Sequence, residues 1–132
     1  AVQAVFDTEA AALAAHGVTT GVLMCTVGAQ AMIVEPCLYW PGEQPPLHQR
    51  VLPADYLAKL PQHPHDAAVA AYVDGMKLQL REALASAGAV HFQIGKFYPY
   101  AERLEPNTLA LVQAMKQALD PQRRMNPGVL GL

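Results

Sequence analysis

Apolar residues recur at helical spacing from the start of the chain. Val2, Val5, Phe6, Ala10, Leu13 and Ala14 share one side of a 3.6-residue period, and Gly17 stops the run. The pattern then changes. Residues 18–40, VTTGVLMCTVGAQAMIVEPCLYW, are rich in apolar and β-branched positions and predict two strands turning at Gly28-Ala29. Pro36 marks an edge position or the end of regular pairing. The stretch PGEQPPLHQRVLP holds four prolines between Pro41 and Pro53 and predicts a stiff, extended loop. A short helix over residues 54–60 follows, and PQHPHD breaks it.

The clearest periodicity comes next. Asp66 is a good N-cap for a helix whose stripe is Val69, Tyr72, Val73, Met76, Leu80, Ala83 and Leu84, with Lys77, Arg81 and Glu82 off it. Gly88 ends it. Residues 89–95, AVHFQIG, predict a third strand, and KFYPY an aromatic, proline-interrupted loop. The last helix spans 106–119, with Pro106 in its first turn and Leu111, Val112, Met115 and Leu119 inward. Asp120-Pro121 ends that helix, and Asn126-Pro127-Gly128 shapes the backbone once more.

The predicted order is helix, strand, strand, helix, strand, helix. A ferredoxin-like unit runs strand, helix, strand, strand, helix, strand. The chain fits that order with its first strand lacking and a C-terminal helix added. The expected class is α+β, a ferredoxin-like antiparallel sheet with helices on one face. One domain over 1–132 is expected, and the absence of an initial Met reads as a piece of a longer polypeptide. A sheet without its first strand has an open edge, so a homodimer is a possible partner arrangement.

Composition narrows the function classes. With 132 residues and 52% hydrophobic content, the chain can bury a core. A net charge of −2 and a pI near 6.2 speak against nucleic-acid or anionic-membrane binding through bulk charge. No apolar run reaches membrane-spanning length and no secretory leader is evident, which points to the cytoplasm. Cys25 and Cys37 lie in apolar stretches and are expected as buried thiols.

The candidate chemistry is sparse. No phosphate-binding glycine loop and no nucleophile-elbow serine occur. His63-Pro64-His65 reads as a polar loop, because a metal site needs three or four ligands. His48 is a possible acid or base or substrate contact in the proline loop, and His16 a helix-end residue beside Gly17. In the third strand, alternation puts His91, Gln93 and Gly95 on one face and Phe92 and Ile94 on the other. Lys96, Tyr98 and Tyr100 follow at its mouth. Two polar groups on an apolar strand beside a lysine and tyrosines make a candidate ligand surface.

AGAVHFQIGKFYPY, then a helix, then ALDPQRRMNPGVLGL resembles the C-terminal end of FAD-linked oxidases of the vanillyl-alcohol oxidase type, which include glycolate oxidase subunits and D-lactate dehydrogenases. The resemblance is strongest over 88–128 and implies a cap, or substrate, domain. It implies FAD, held mainly by an N-terminal flavin-binding domain, and a small-molecule substrate, an alcohol or 2-hydroxy acid. It places His91 and Gln93 as catalytic candidates, Lys96, Tyr98, Tyr100 and His48 near substrate, and Asn126 near the cofactor. Many 2-hydroxy-acid members carry a metal-binding Glu-His-Gly on this strand. Here Gln93-Ile94-Gly95 stands in its place, which implies no metal site. The alternative is a stand-alone ferredoxin-like module that dimerises through its sheet and binds no flavin.

Overall fold

The computed structural model describes residues 1–91, 93 and 95–132. The chain forms two compact units, Ala1–Ala87 and Gly88–Leu132. The first has helices α1 (Val2–Thr8) and α2 (Ala10–Ala15), strands β1 (Thr19–Val27) and β2 (Ala31–Tyr39), and helices α3 (Pro46–Val51), α4 (Ala54–Leu57) and α5 (Ala67–Ser86). The class is α+β: helices accompany one antiparallel two-stranded sheet.

The N-terminal helix is two helices, broken at Glu9. Val2, Phe6 and Leu13 are buried as the periodicity predicts, while Ala10 and Ala14 are exposed. These three meet Val18 and the α5 stripe of Val69, Val73, Met76 and Leu80 in one core, with Val5, Tyr72, Leu84, Val34 and Leu38 packed against it. Asp66 caps α5: its carboxylate accepts the N–H groups of Ala68 and Val69, both at 3.0 Å. Beyond the other end, Gly88 is left-handed at φ +79°, a conformation that closes helix ends at little cost only for glycine.

β1 and β2 pair from Thr19↔Tyr39 to Val27↔Ala31, around a turn in which Gly28 has φ +62°. Pro36 sits within the pairing, opposite Val22. Among the described residues each strand has a single neighbour, and a proline is tolerated at such an edge. Val34 and Leu38 reach the core, but Leu23, Met24, Val27 and Met32 are exposed towards the turn. Cys25 is exposed and Cys37 half-buried, against the expectation of buried thiols: Cys25 pairs with Ile33 towards the exposed turn, and Cys37 pairs with Gly21 nearer the other end of the hairpin.

Two further expectations in this unit are corrected. The proline-rich segment is not extended throughout: Pro45 is extended, and Pro46 opens α3, where a fixed φ suits the first helical turn. The next helix ends at Leu57 rather than residue 60.

The second unit contains a 3-10 turn (Ala101–Arg103), helix α6 (Pro106–Leu119) and a closing 3-10 turn (Val129–Gly131). α6 has the bounds its periodicity predicts, but its orientation differs. Leu111, Met115 and Leu119 are exposed, and Leu109, Val112 and Lys116 are the partly buried positions. Lys116 is tied to the chain that follows the helix, which turns this side of α6 inward. The predicted third strand is not seen among the described residues: 89–91, 93 and 95 carry no strand pairing. Its expected Phe92/Ile94 face lies outside the described residues.

Candidate functional site

In the second unit three of the predicted site residues come together. The rings of His91 and Tyr98 lie 5.0 Å apart, and the Tyr98 hydroxyl donates to Gln93 Oε1 at 3.1 Å. Phe97 packs edge-on against Tyr98 at 5.2 Å. Tyr98 therefore bridges His91 and Gln93, which strand alternation had placed side by side. The link is a folded-back loop, made possible because Tyr98 follows Gln93 by five residues and can reach over it.

His91 Nε2 is buried and has no hydrogen-bond partner among the described residues. Buried polar atoms are nearly always satisfied, so an orphan is informative. An imidazole nitrogen can donate or accept, according to its tautomer. Gln93 Oε1 is occupied by Tyr98, which leaves the amide N–H₂ as the group it can present to a ligand.

The other candidates are placed differently. Lys96 is exposed; Tyr100 is half-buried, and its N–H donates to the Tyr98 carbonyl at 2.8 Å. Asn126 is exposed and left-handed at φ +45°, and its carbonyl accepts the Val129 N–H at 3.1 Å. His48 lies in the first unit, exposed on α3.

The first unit offers a shallow cleft of about 160 Å³, lined by His16, Pro41, His63, Pro64, Asp66 and Val69. Its groups are already engaged. Asp66 caps α5, and His16 stacks on Tyr72 at 4.4 Å. The Tyr72 hydroxyl donates to Glu9 Oε2 at 3.1 Å; burial, and then the Glu9 carboxylate, raise its pKa. His65 Nδ1 is 2.9 Å from Glu43. Among the described residues no three His, Cys, Asp or Glu side chains are grouped to hold a metal ion.

One arrangement was missed in the sequence. Asp120, 6% exposed, accepts from Lys116 Nζ at 2.6 Å, from the Arg124 N–H at 2.8 Å and from the Met125 N–H at 2.9 Å. Lys116 Nζ also donates to the Met125 carbonyl at 2.6 Å. The Lys116 ammonium holds the Asp120 carboxyl below the ordinary aspartate value; burial opposes this and the two backbone N–H groups assist. The available signal was a lysine four residues before an aspartate at a helix end.

Residues 94–130 match the family described as FAD linked oxidases, C-terminal domain. The matched segment runs from the loop that holds Lys96 and Tyr98, through α6 and the Asp120 network, to the closing turn. His91 and Gln93 immediately precede it. No curated protein matches the chain, and no solved structure does. Among the described residues no helix is long and apolar enough to cross a membrane.

Proposed function

We propose that residues 1–132 are the cap, or substrate, domain of an FAD-dependent oxidoreductase of the vanillyl-alcohol oxidase type, acting on an alcohol or a 2-hydroxy acid such as glycolate or lactate. The observation that carries this reading is the family match over 94–130, which takes in Lys96, Tyr98, Tyr100 and Asn126 and begins beside His91 and Gln93. An N-terminal flavin-binding domain of the same polypeptide holds most of the FAD, and the chain by itself is inactive. The setting is cytoplasmic, with no nucleic-acid partner. The exposed apolar end of the β1–β2 hairpin supports association into a homodimer.

The residues present fit such a role. FAD, when bound, supplies the two-electron acceptor. The chain's own groups orient substrate and handle its proton. The orphaned Nε2 of His91 is the atom suited to take a hydrogen bond from a substrate hydroxyl and hold its proton. Tyr98 fixes the His91 ring by contact and Gln93 by hydrogen bond, so that the Gln93 N–H₂ faces a substrate oxygen. Lys96 offers a positive charge to a carboxylate, with Tyr100 and His48 as further substrate contacts and Asn126 as the contact to the cofactor.

The test uses the natural polypeptide that carries this sequence. Purified, it should show flavin absorbance that bleaches anaerobically on adding a 2-hydroxy acid or an alcohol. A natural polypeptide free of flavin, or one whose flavin no such compound reduces, contradicts the proposal.

A further inference from the structure

The Asp120 network has a reach beyond its own turn. After Met125 the chain adopts a run of left-handed residues: Asn126, Gly128, Leu130 and Gly131, with φ of +45°, +75°, +63° and +73°. Asn126 tolerates this conformation, but for Leu130 it is unfavourable and persists only where the surroundings impose it. At its far end the run meets the candidate site. The Leu130 N–H donates to the Gly95 carbonyl at 3.2 Å. A Cβ on Gly131 would lie 3.2 Å from the Ala101 side chain. The tail thus touches the 95–101 segment at both ends, and that segment carries Lys96, Tyr98 and Tyr100.

We propose that Lys116 and Asp120 form a clasp that fixes the C-terminal run and, through Leu130 and Gly95, positions the Gln93–Tyr98–His91 cluster. The pair itself touches no substrate; both are positioning residues. Calling the cluster a site rests on the function proposed above, but the mechanical link does not. Asp120 is suited to this work because one carboxylate gathers a side-chain cation and two backbone N–H groups on the far side of Pro121. Lys116 is suited because its ammonium spans the helix end and the tail, bonding Asp120 and the Met125 carbonyl together. Charge-assisted bonds of this kind are about twice as strong as neutral ones.

The test needs no flavin. Amide exchange and ring resonances are measured by NMR on this chain and on Asp120→Ala, Lys116→Met and Lys116→Arg. In the first two variants the Leu130 amide should exchange about tenfold faster, the scale of one lost hydrogen bond. The His91 and Tyr98 ring resonances should shift with it, while the Val73 and Met76 amides of α5 stay protected. Lys116→Arg keeps a cationic donor and should retain the parent spectrum. If exchange rises only at Arg124 and Met125, with Leu130 and the two rings unchanged, the clasp is a local helix end and the proposal fails. Should the second unit of Asp120→Ala not fold, as judged by loss of amide protection throughout α6, Lys116→Met decides by the same readouts. In the natural flavoprotein, Lys116→Met should lower turnover per bound flavin and Lys116→Arg should not. A natural polypeptide without flavin would sink the functional reading and leave the NMR result standing.

Discussion

Gly128 and Gly131 form a built-in control for how the tail is held. Both are left-handed, at φ +75° and +73°, but a Cβ on Gly128 meets nothing within 4 Å, whereas one on Gly131 meets the Ala101 Cβ at 3.2 Å. Replacing Gly128 by alanine therefore adds only the conformational penalty, about 1–2 kcal/mol for an L-residue forced left-handed. The lower flexibility of alanine in the unfolded chain returns about 0.4–1 kcal/mol. The net cost in Gly128→Ala is then about 1 kcal/mol. Gly131→Ala adds a contact inside the optimal carbon–carbon separation of about 3.5–4.0 Å. Overpacking of that kind costs about 1–3 kcal/mol, towards the lower end here because Ala101 is only half-buried and sits on a short 3-10 turn. The assay is amide exchange at Leu130, whose N–H holds Gly95. Protection should fall by a factor of about 5 in Gly128→Ala and by about tenfold more in Gly131→Ala, at about 1.4 kcal/mol per decade. Equal losses in the two variants would refute the packing of the tail against Ala101.

Other perturbations probe separate parts of the account. Asp120 is held below the ordinary aspartate value by Lys116, so its stabilising effect is complete above that value and disappears as pH falls through the depressed one; amide protection at Arg124 and Met125, taken relative to the intrinsic exchange rate at each pH, should be steady from neutral pH to the ordinary aspartate range and fall below it, and Asp120→Asn should abolish the acid limb. Asp66→Ala should cost about 1 kcal/mol by removing the α5 cap, seen as a lower melting temperature; an unchanged value would contradict the capping geometry. Met76→Ala, at a position 1% exposed, should cost about 2–5 kcal/mol, whereas Leu78→Ala on the open face of the same helix should cost under about 1 kcal/mol. Elemental analysis of protein prepared without chelator should find well under one equivalent of zinc or manganese; a stoichiometric metal would overturn the reading of Gln93-Ile94-Gly95. Sedimentation should show association that grows with concentration and weakens in Met24→Lys, while a monomer at all concentrations would remove the homodimer.

The elements with strong local signals were legible in the sequence. α5 combines a capping aspartate, a regular stripe and a terminal glycine, and all three appear where the spacing puts them. The β1–β2 hairpin follows from its β-branched composition and the left-handed Gly28. Tertiary context decided the rest. α6 is amphipathic, but periodicity cannot say which neighbour claims which side, and the bonds of Lys116 turn Val112 inward and leave Leu111 and Leu119 exposed. Pro45-Pro46 suggested extension because proline breaks helices from within; at the first turn the same fixed φ starts one. For the site, His91, Gln93 and Tyr98 were picked out as polar and aromatic groups in an apolar run, yet the bond between Gln93 and Tyr98 depends on a folded loop that alternation along a strand does not anticipate. The Asp120 network escaped notice because an aspartate before a proline reads first as a stop signal, and its three donors are known only once the tail has folded back.

The most direct test of the central claim is turnover per bound flavin in the natural polypeptide, compared between the parent and His91→Ala. A positioned acid–base group is worth about 10²–10⁴-fold, and a loss of that size with flavin content unchanged is the predicted result. Turnover per flavin equal to the parent's, with only weakened flavin retention or a lowered melting temperature, would show that His91 merely packs and would contradict the account.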